Sequence, residues 1–301
     1  MGYNKSQHKY CKAKNRTLPN RKPQQLTATN LVTLNEIFNS HNWNVEMDDP
    51  TSCFNRFRRT LSGLTLEEQS LLLSLTKRFE YLPTTEYLNM MVPLLEKLRR
   101  DYALEYIYFV RCVKAEDVGK IKSCEAVLYQ LKGTSIQHRI KLGKYKVVDD
   151  LRTIDISKIQ NREAIIVFVD DYIGTGETAK GAIDYLMKSL PQLRECSEDR
   201  FCFLTLAAYS RGKTALESLG YNVYVFFEHG KGISDYYEEV ERIKNLQIMS
   251  EIESRLSGLS SKFKLGYGQT EGLICMERCP NNTFPIYWFK EGDAPYERGH
   301  H

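Results

Sequence analysis

With 301 residues, 42% of them apolar and 27% charged, the chain is long enough to bury one full domain with appendages. No run approaches the roughly 20 apolar residues of a membrane span, and the N-terminus lacks an apolar signal core, so the default expectation is a cytoplasmic protein. The net charge of +4 is unevenly spread: Lys5, Lys9, Lys12, Lys14, Arg16, Arg21 and Lys22 all precede the first acid, Glu36, which leaves the remainder net acidic.

Residues 1–28 have no periodic apolar pattern and contain Pro19 and Pro23, which predicts a disordered basic arm. Such an arm is either a solubilising tail or an electrostatic contact for nucleic acid or a nucleic-acid-bound partner. Thr29 or Asn30 can cap a helix presenting Leu31, Leu34, Ile37 and Phe38, and Phe54, Phe57 and Leu61 continue helical spacing. Thr65 and Glu68 form a capping box ahead of Leu71, Leu72, Leu73 and Leu75. Pro83 ends that segment and Thr84 or Thr85 opens another helix, with Pro93 inside it.

Beyond residue 102 the rhythm changes to strands at 107–113, 144–148, 164–169, 201–208 and 221–227. Helices at 123–131, 178–189 and 212–219 alternate with them, and a last helix covers 236–256. That alternation predicts βαβ units and a mostly parallel sheet. The expected organisation is a basic arm (1–28), a helical domain (29–101), an α/β core (102–235) and a C-terminal helix with extension (236–301). The eight cysteines include no second Cys/His pair at zinc spacing, and reduced, unpaired thiols are expected.

The chemistry concentrates at one place. Ala164-Ile165-Ile166-Val167-Phe168-Val169 is an apolar run suited to a central strand, and Asp170-Asp171 stand at its C-terminal end, where open α/β sheets bind ligands. Tyr172-Ile173-Gly174-Thr175-Gly176-Glu177-Thr178 then turns into a helix. A Gly/Thr turn at a helix N-terminus exposes backbone N–H groups beside a positive dipole end, which makes a phosphate cradle. The two carboxylates can accept hydrogen bonds from vicinal sugar hydroxyls, or assist Mg²⁺ through water. A ribose 5-phosphate satisfies both halves.

Gly174-x-Gly176-x-x-Ala179 also matches the dinucleotide fingerprint, but two aspartates and two further residues separate strand and glycine. A Walker A loop fails because Ala179-Lys180-Gly181 replaces Gly-Lys-Ser/Thr. Upstream, Asp117-x-Gly119-Lys120-x-Lys122-Ser123 is a candidate pyrophosphate loop, with two lysines and an N-cap serine; the alternative is a solvated basic turn.

Residues 164–178 resemble the signature of type I phosphoribosyltransferases: apolar residues, an acidic pair, two apolar residues and a Thr-Gly-x-Thr turn. The resemblance implies a Rossmann-like core with Asp170 and Asp171 on the ribose hydroxyls. It also implies Ile173, Gly174, Thr175, Gly176, Glu177 and Thr178 around the 5-phosphate of phosphoribosyl pyrophosphate (PRPP), with Mg²⁺ on the ligand. Tyr172 is bulkier than the usual aliphatic residue, and Gly174 replaces the aspartate of purine-salvage enzymes. Phe54-x-x-Phe57, Thr65-x-Glu67-Glu68, Gly266-Tyr267-Gly268 and Pro280-Asn281-Asn282-Thr283-x-Pro285-Ile286-x-Trp288 further resemble PRTase-CE, a family predicted to supply effectors of bacterial conflict systems, some retron-linked. Three functional readings follow: transfer at ribose C1, a nucleotide-sensing module without chemistry, and nucleic-acid binding through the basic arm. Pro280–Trp288 reads as a turn packing an aromatic tail on the core, or as a closure of the ligand pocket.

Overall fold

The computed structural model describes residues 25–102, 105–140, 143–289 and 294–296, so most of the basic arm lies outside the described residues. Three helices come first: α1 (Ala28–Ser40), α2 (Cys53–Ser62) and α3 (Leu66–Thr76). The cap of α1 is Thr27, whose hydroxyl accepts from the Asn30 N–H at 3.1 Å, not Thr29 or Asn30. The helix starts earlier because its first turn is polar and carries no apolar periodicity to mark it. The capping box on α3 forms as its spacing predicts, with Thr65 N–H donating to Glu68 at 2.9 Å and Glu68 N–H to Thr65 at 3.4 Å.

A short strand β1 (Glu80–Tyr81) leads to α4 (Thr84–Asp101), which continues through Pro93. The core then runs β2 (Tyr106–Arg111), α5 (Cys124–Lys132), α6 (Thr134–Arg139), β3 (Tyr145–Val147), α7 (Ile156–Gln160) and β4 (Ala164–Ile173). After these come α8 (Glu177–Ser189), β5 (Phe201–Tyr209), α9 (Ser210–Glu217), β6 (Asn222–His229), α10 (Glu239–Ser254) and β7 (Ile274–Cys275). β2 to β6 form one parallel sheet in the order β3-β2-β4-β5-β6. This is a Rossmann-like α/β core. Strand order reverses between β2 and β4, and in such sheets the crevice at that reversal is where ligands bind.

Side chains of β4 alternate between two apolar layers, which is why the strand reads as a continuous hydrophobic run. Ile165, Val167 and Val169 pack with Met91 and Leu95 of α4 and Val127 and Leu131 of α5. Ala164, Ile166 and Phe168 pack with Ile159 of α7, Leu186 of α8 and Leu216 of α9.

A third cluster joins the two ends of the chain. Phe38, Phe57 and Leu72 from α1–α3 pack with Met249 and Ile252 of α10 and with Phe284, Tyr287 and Trp288. β1 pairs in parallel with β7, Glu80 against Ile274 and Tyr81 against Cys275. Each fully buried aromatic here contributes roughly 1.5–3 kcal/mol by leaving water.

Candidate active site

β4 extends four residues beyond the predicted strand, to Ile173, so the acidic pair lies inside the strand. Both carboxylates are buried, Asp170 8% and Asp171 4% exposed. The Asp171 N–H donates to Asp170 Oδ1 at 2.9 Å, and the Ser123 hydroxyl donates to Asp171 Oδ1 at 2.6 Å. Burial and the neighbouring Asp171 charge push the Asp170 carboxyl well above the usual range, with the Cys112 thiol hydrogen-bonding it in partial opposition. Burial also raises Asp171, while the hydroxyl of Ser123 holds that rise back. The pair therefore retains a proton more readily than free carboxylates do.

Ser123 stands at the start of α5 as expected, but its side chain makes no cap hydrogen bond. Its hydroxyl is spent on Asp171 instead. Lys120 and Lys122 both pair with Asp117, at 3.0 and 2.9 Å, so the structure joins only Ser123 of this loop directly to the acidic pair. Lys122 first, then Lys120, holds the Asp117 carboxyl below the ordinary range.

The turn after β4 sits at the N-terminus of α8, which begins at Glu177 rather than Thr178. Gly176 adopts φ 84°, the left-handed conformation that favours glycine, and no side chain caps the helix. The first N–H groups of α8 are thereby turned toward the loop. Ile173 is buried beneath the turn, Gly174 and Thr175 are half-buried, and Glu177 and Thr178 are exposed.

Three close approaches fix this turn, none of which was legible in the sequence. A Cβ on Gly212 of α9 would lie 1.8 Å from the Gly174 carbonyl oxygen, so the two backbones touch. A Cβ on Gly174 would meet Asn282 Oδ1 at 2.4 Å, and one on Gly268 would meet the Thr175 methyl at 2.6 Å. Asn282 is held by its Nδ2, which donates to the Tyr267 carbonyl at 3.0 Å, and the Tyr267 hydroxyl donates to Glu177 at 2.8 Å. Leu265, Gly266, Gly268, Gln269 and Glu271 all have positive φ. Left-handed backbone at three non-glycine residues costs about 1–2 kcal/mol each and persists where its surroundings impose it. Buried Glu271 braces the segment, accepting from the Ile233 and Ser234 N–H groups at 3.0 and 2.7 Å.

Pro280–Trp288 takes the packing role read from its sequence. Phe284, Tyr287 and Trp288 pack in the joint core, with Trp288 Nε1 donating to the Thr283 carbonyl at 2.7 Å, while Asn282 covers the phosphate-loop candidate. A family model, PRTase-CE, matches residues 61–298. The chain belongs to the PRTase-CE family. A search of curated proteins found no match. The PRTase-CE match spans the sheet, the acidic pair, the turn and the C-terminal residues that cover it, and it makes the chain phosphoribosyltransferase-like. Among the described residues no helix is long and apolar enough to cross a membrane.

Proposed function

We propose that this PRTase-CE chain binds PRPP or a nucleotide at the C-terminal edge of β4 and acts at ribose C1. One observation carries the reading: a buried acidic pair is joined through a left-handed glycine to an uncapped helix N-terminus, on one strand–turn–helix. A 5-phosphate would take N–H groups of the first turn of α8 together with the hydroxyls of Thr175 and Thr178. Ribose hydroxyls would donate to Asp170 and Asp171, favouring their charged forms against the burial that opposes them. Positive charge developing at C1 would draw on the same carboxylates, so their effect falls on turnover more than affinity.

The donor chemistry of two carboxylates fits Mg²⁺ carried mainly by ligand phosphates and waters. When bound, the ion would supply charge against the departing pyrophosphate. Lys120 and Lys122 would reach that pyrophosphate on leaving Asp117.

The test is incubation with PRPP, Mg²⁺ and a panel of nucleobases and nucleotides, followed by pyrophosphate release. Turnover by wild type that disappears in Asp170→Asn/Asp171→Asn supports the reading; tight binding with no release of pyrophosphate or base favours the sensor. The contacts of Gly268 and Asn282 with the phosphate loop favour that second reading, because occupancy of the loop would be felt in the C-terminal segment. The family's predicted role makes bacterial antiphage defence, with a retron partner and cytoplasmic action, the setting we propose. The basic arm is the proposed contact for nucleic acid, checked by removing residues 1–28 and measuring the salt dependence of binding.

A further inference from the structure

An acceptor that attacks ribose C1 through an N–H or O–H group must surrender a proton. With ribose hydroxyls holding the acidic pair in its charged form, a proton taken up there would cancel the charge that stabilises C1. The chain offers another base next door. Tyr172 directly follows Asp171, and its hydroxyl lies 3.0 Å from Nε2 of His229 at the end of β6. His229 Nδ1 lies 2.9 Å from the Gly230 carbonyl oxygen. A carbonyl only accepts, so Nδ1 carries the hydrogen and Nε2 presents its lone pair to the tyrosine.

The imidazole is also fixed in orientation. It stacks on Tyr172 with the ring planes 13° apart, and Tyr209 and Phe227 lie within 5.9 and 6.4 Å. The Ser210 hydroxyl donates to the His229 carbonyl at 2.7 Å, which ties this strand end to α9 and so to Gly212 beneath the phosphate loop. The ionisable neighbours are Glu228, paired with Lys213 at 3.2 Å, and Asp235, paired with Arg211 at 3.3 Å. Tyr209 faces the ring from β5, and Cys279 and Asp171 stand near Tyr172. Burial lowers the proton affinity of the ring, outweighing the Gly230 carbonyl and Glu228, which favours the neutral imidazole.

We propose that Tyr172 and His229 form the proton outlet of the transfer, Tyr172 touching the acceptor and His229 storing the proton as a positioning residue behind it. This rests on the reading of transfer at ribose C1. The acceptor's lone pair forms the bond to C1 as the C1–oxygen bond to pyrophosphate breaks, its electron pair leaving with pyrophosphate. The acceptor proton passes to the Tyr172 oxygen while the tyrosine's own proton passes to Nε2, leaving an imidazolium that discharges to solvent. The acceptor class is therefore a neutral hydroxyl, amine or amide N–H, not an anion such as a carboxylate.

The experiment follows pyrophosphate release from PRPP with Mg²⁺, with water and a nucleobase panel as acceptors, between pH 5 and 9. Wild type is compared with His229→Gln and Tyr172→Phe, and PRPP binding is measured on the same preparations. Both variants should lose ~100-fold in kcat, with PRPP affinity unchanged. The acid limb of the wild-type profile, where His229 is already protonated, should vanish in His229→Gln. Tyr172→Phe keeps the stacked ring, so a purely structural role would leave its turnover intact and decides the matter even if His229→Gln fails to fold. Turnover at the wild-type rate in Tyr172→Phe, or an acid limb retained in His229→Gln, overturns the outlet alone. Wild type that binds PRPP yet never releases pyrophosphate overturns the C1 reading and the outlet with it.

Discussion

Two loops meet at the C-terminal edge of the sheet, and they are built on opposite plans. Residues 174–178 are pinned by backbone contact with Gly212 on one side and by Asn282 and Gly268 on the other. In the 114–123 loop, Gly119 has open space around it, Ile121 is 91% exposed, and Lys120 and Lys122 are satisfied by their own Asp117. On the function proposed above, the phosphate half of the site would thus be preformed, whereas the pyrophosphate half would be completed by its ligand. Preformed donors lose little entropy on binding, while a loop that must exchange an internal ion pair for a ligand gains only the difference.

The sharpest way to break this contrast is to place the same methyl group in each loop. Gly212→Ala puts a Cβ 1.8 Å from a backbone oxygen, where nothing flexible can yield. We expect a loss of about 1–3 kcal/mol or more in stability and the disappearance of PRPP binding by calorimetry. Gly119→Ala meets no atom within 4 Å and bears only the left-handed backbone cost of about 1–2 kcal/mol. Equal effects of the two substitutions on binding would remove the distinction between the loops.

Next in size is the acidic pair. Asp170→Asn/Asp171→Asn keeps shape and part of the hydrogen bonding but removes charge, so turnover should fall at least ~100-fold, about 2.7 kcal/mol, with a smaller loss of binding. A double variant that turns over like wild type would place the chemistry elsewhere.

The geometry of the pinned loop was more legible in the sequence than that of the open one, and the reason is physical. Ala164–Val169, the acidic pair and the Gly/Thr turn lie on one continuous strand–turn–helix, so local periodicity and spacing carry them. Gly212, Tyr267, Asn282 and His229 reach the same place from four separate segments, and no local pattern encodes which strand end or loop they will meet. A glycine in the first turn of a helix, as at Gly212, is a weak signal of close packing. The side chain of Ser123 shows the converse: its position at a helix start was legible, but its bond to Asp171 depends on β2 lying beside β4. The joint core of α1–α3 with Phe284, Tyr287 and Trp288 was hidden for the same reason, since an apolar stripe states that it is buried and not against what.

The C-terminal clamp, residues 265–283 lying against the turn at 174–178, supplies a pH test of moderate size. Glu253 is buried, accepts from the Leu265 N–H at 2.9 Å, and burial pushes its carboxyl up to about 8. A carboxyl raised in the folded state binds its proton more tightly than in the unfolded chain, so stability falls as pH rises between the unfolded value near 4 and about 8. Wild type should lose several degrees of melting temperature from pH 5 to pH 9, and Glu253→Gln should flatten that slope. A slope unchanged in the variant would show that the clamp is not the source.

The smallest effect expected is at Asp117, and it bears directly on the adaptable loop. This carboxylate accepts from Lys122 at 2.9 Å and from Lys120 at 3.0 Å, and the Lys120 side chain is 61% exposed. Exposed ion pairs of this kind contribute about 0–1 kcal/mol, because water screens them and two long side chains must be held. Asp117→Asn releases both ammonium groups for a bound pyrophosphate without altering the glycine or the start of α5. Affinity for inorganic pyrophosphate and for PRPP should rise about threefold at low salt, and the gain should shrink as salt shortens the reach of the freed charges. Lys120→Ala/Lys122→Ala should move affinity the other way, by about tenfold, with the phosphate loop unaffected. Calorimetry of all three proteins at 50 and 200 mM salt distinguishes the cases. If Asp117→Asn and the double lysine variant both bind as wild type does, the lysines never meet the ligand and the loop is a solvated basic turn.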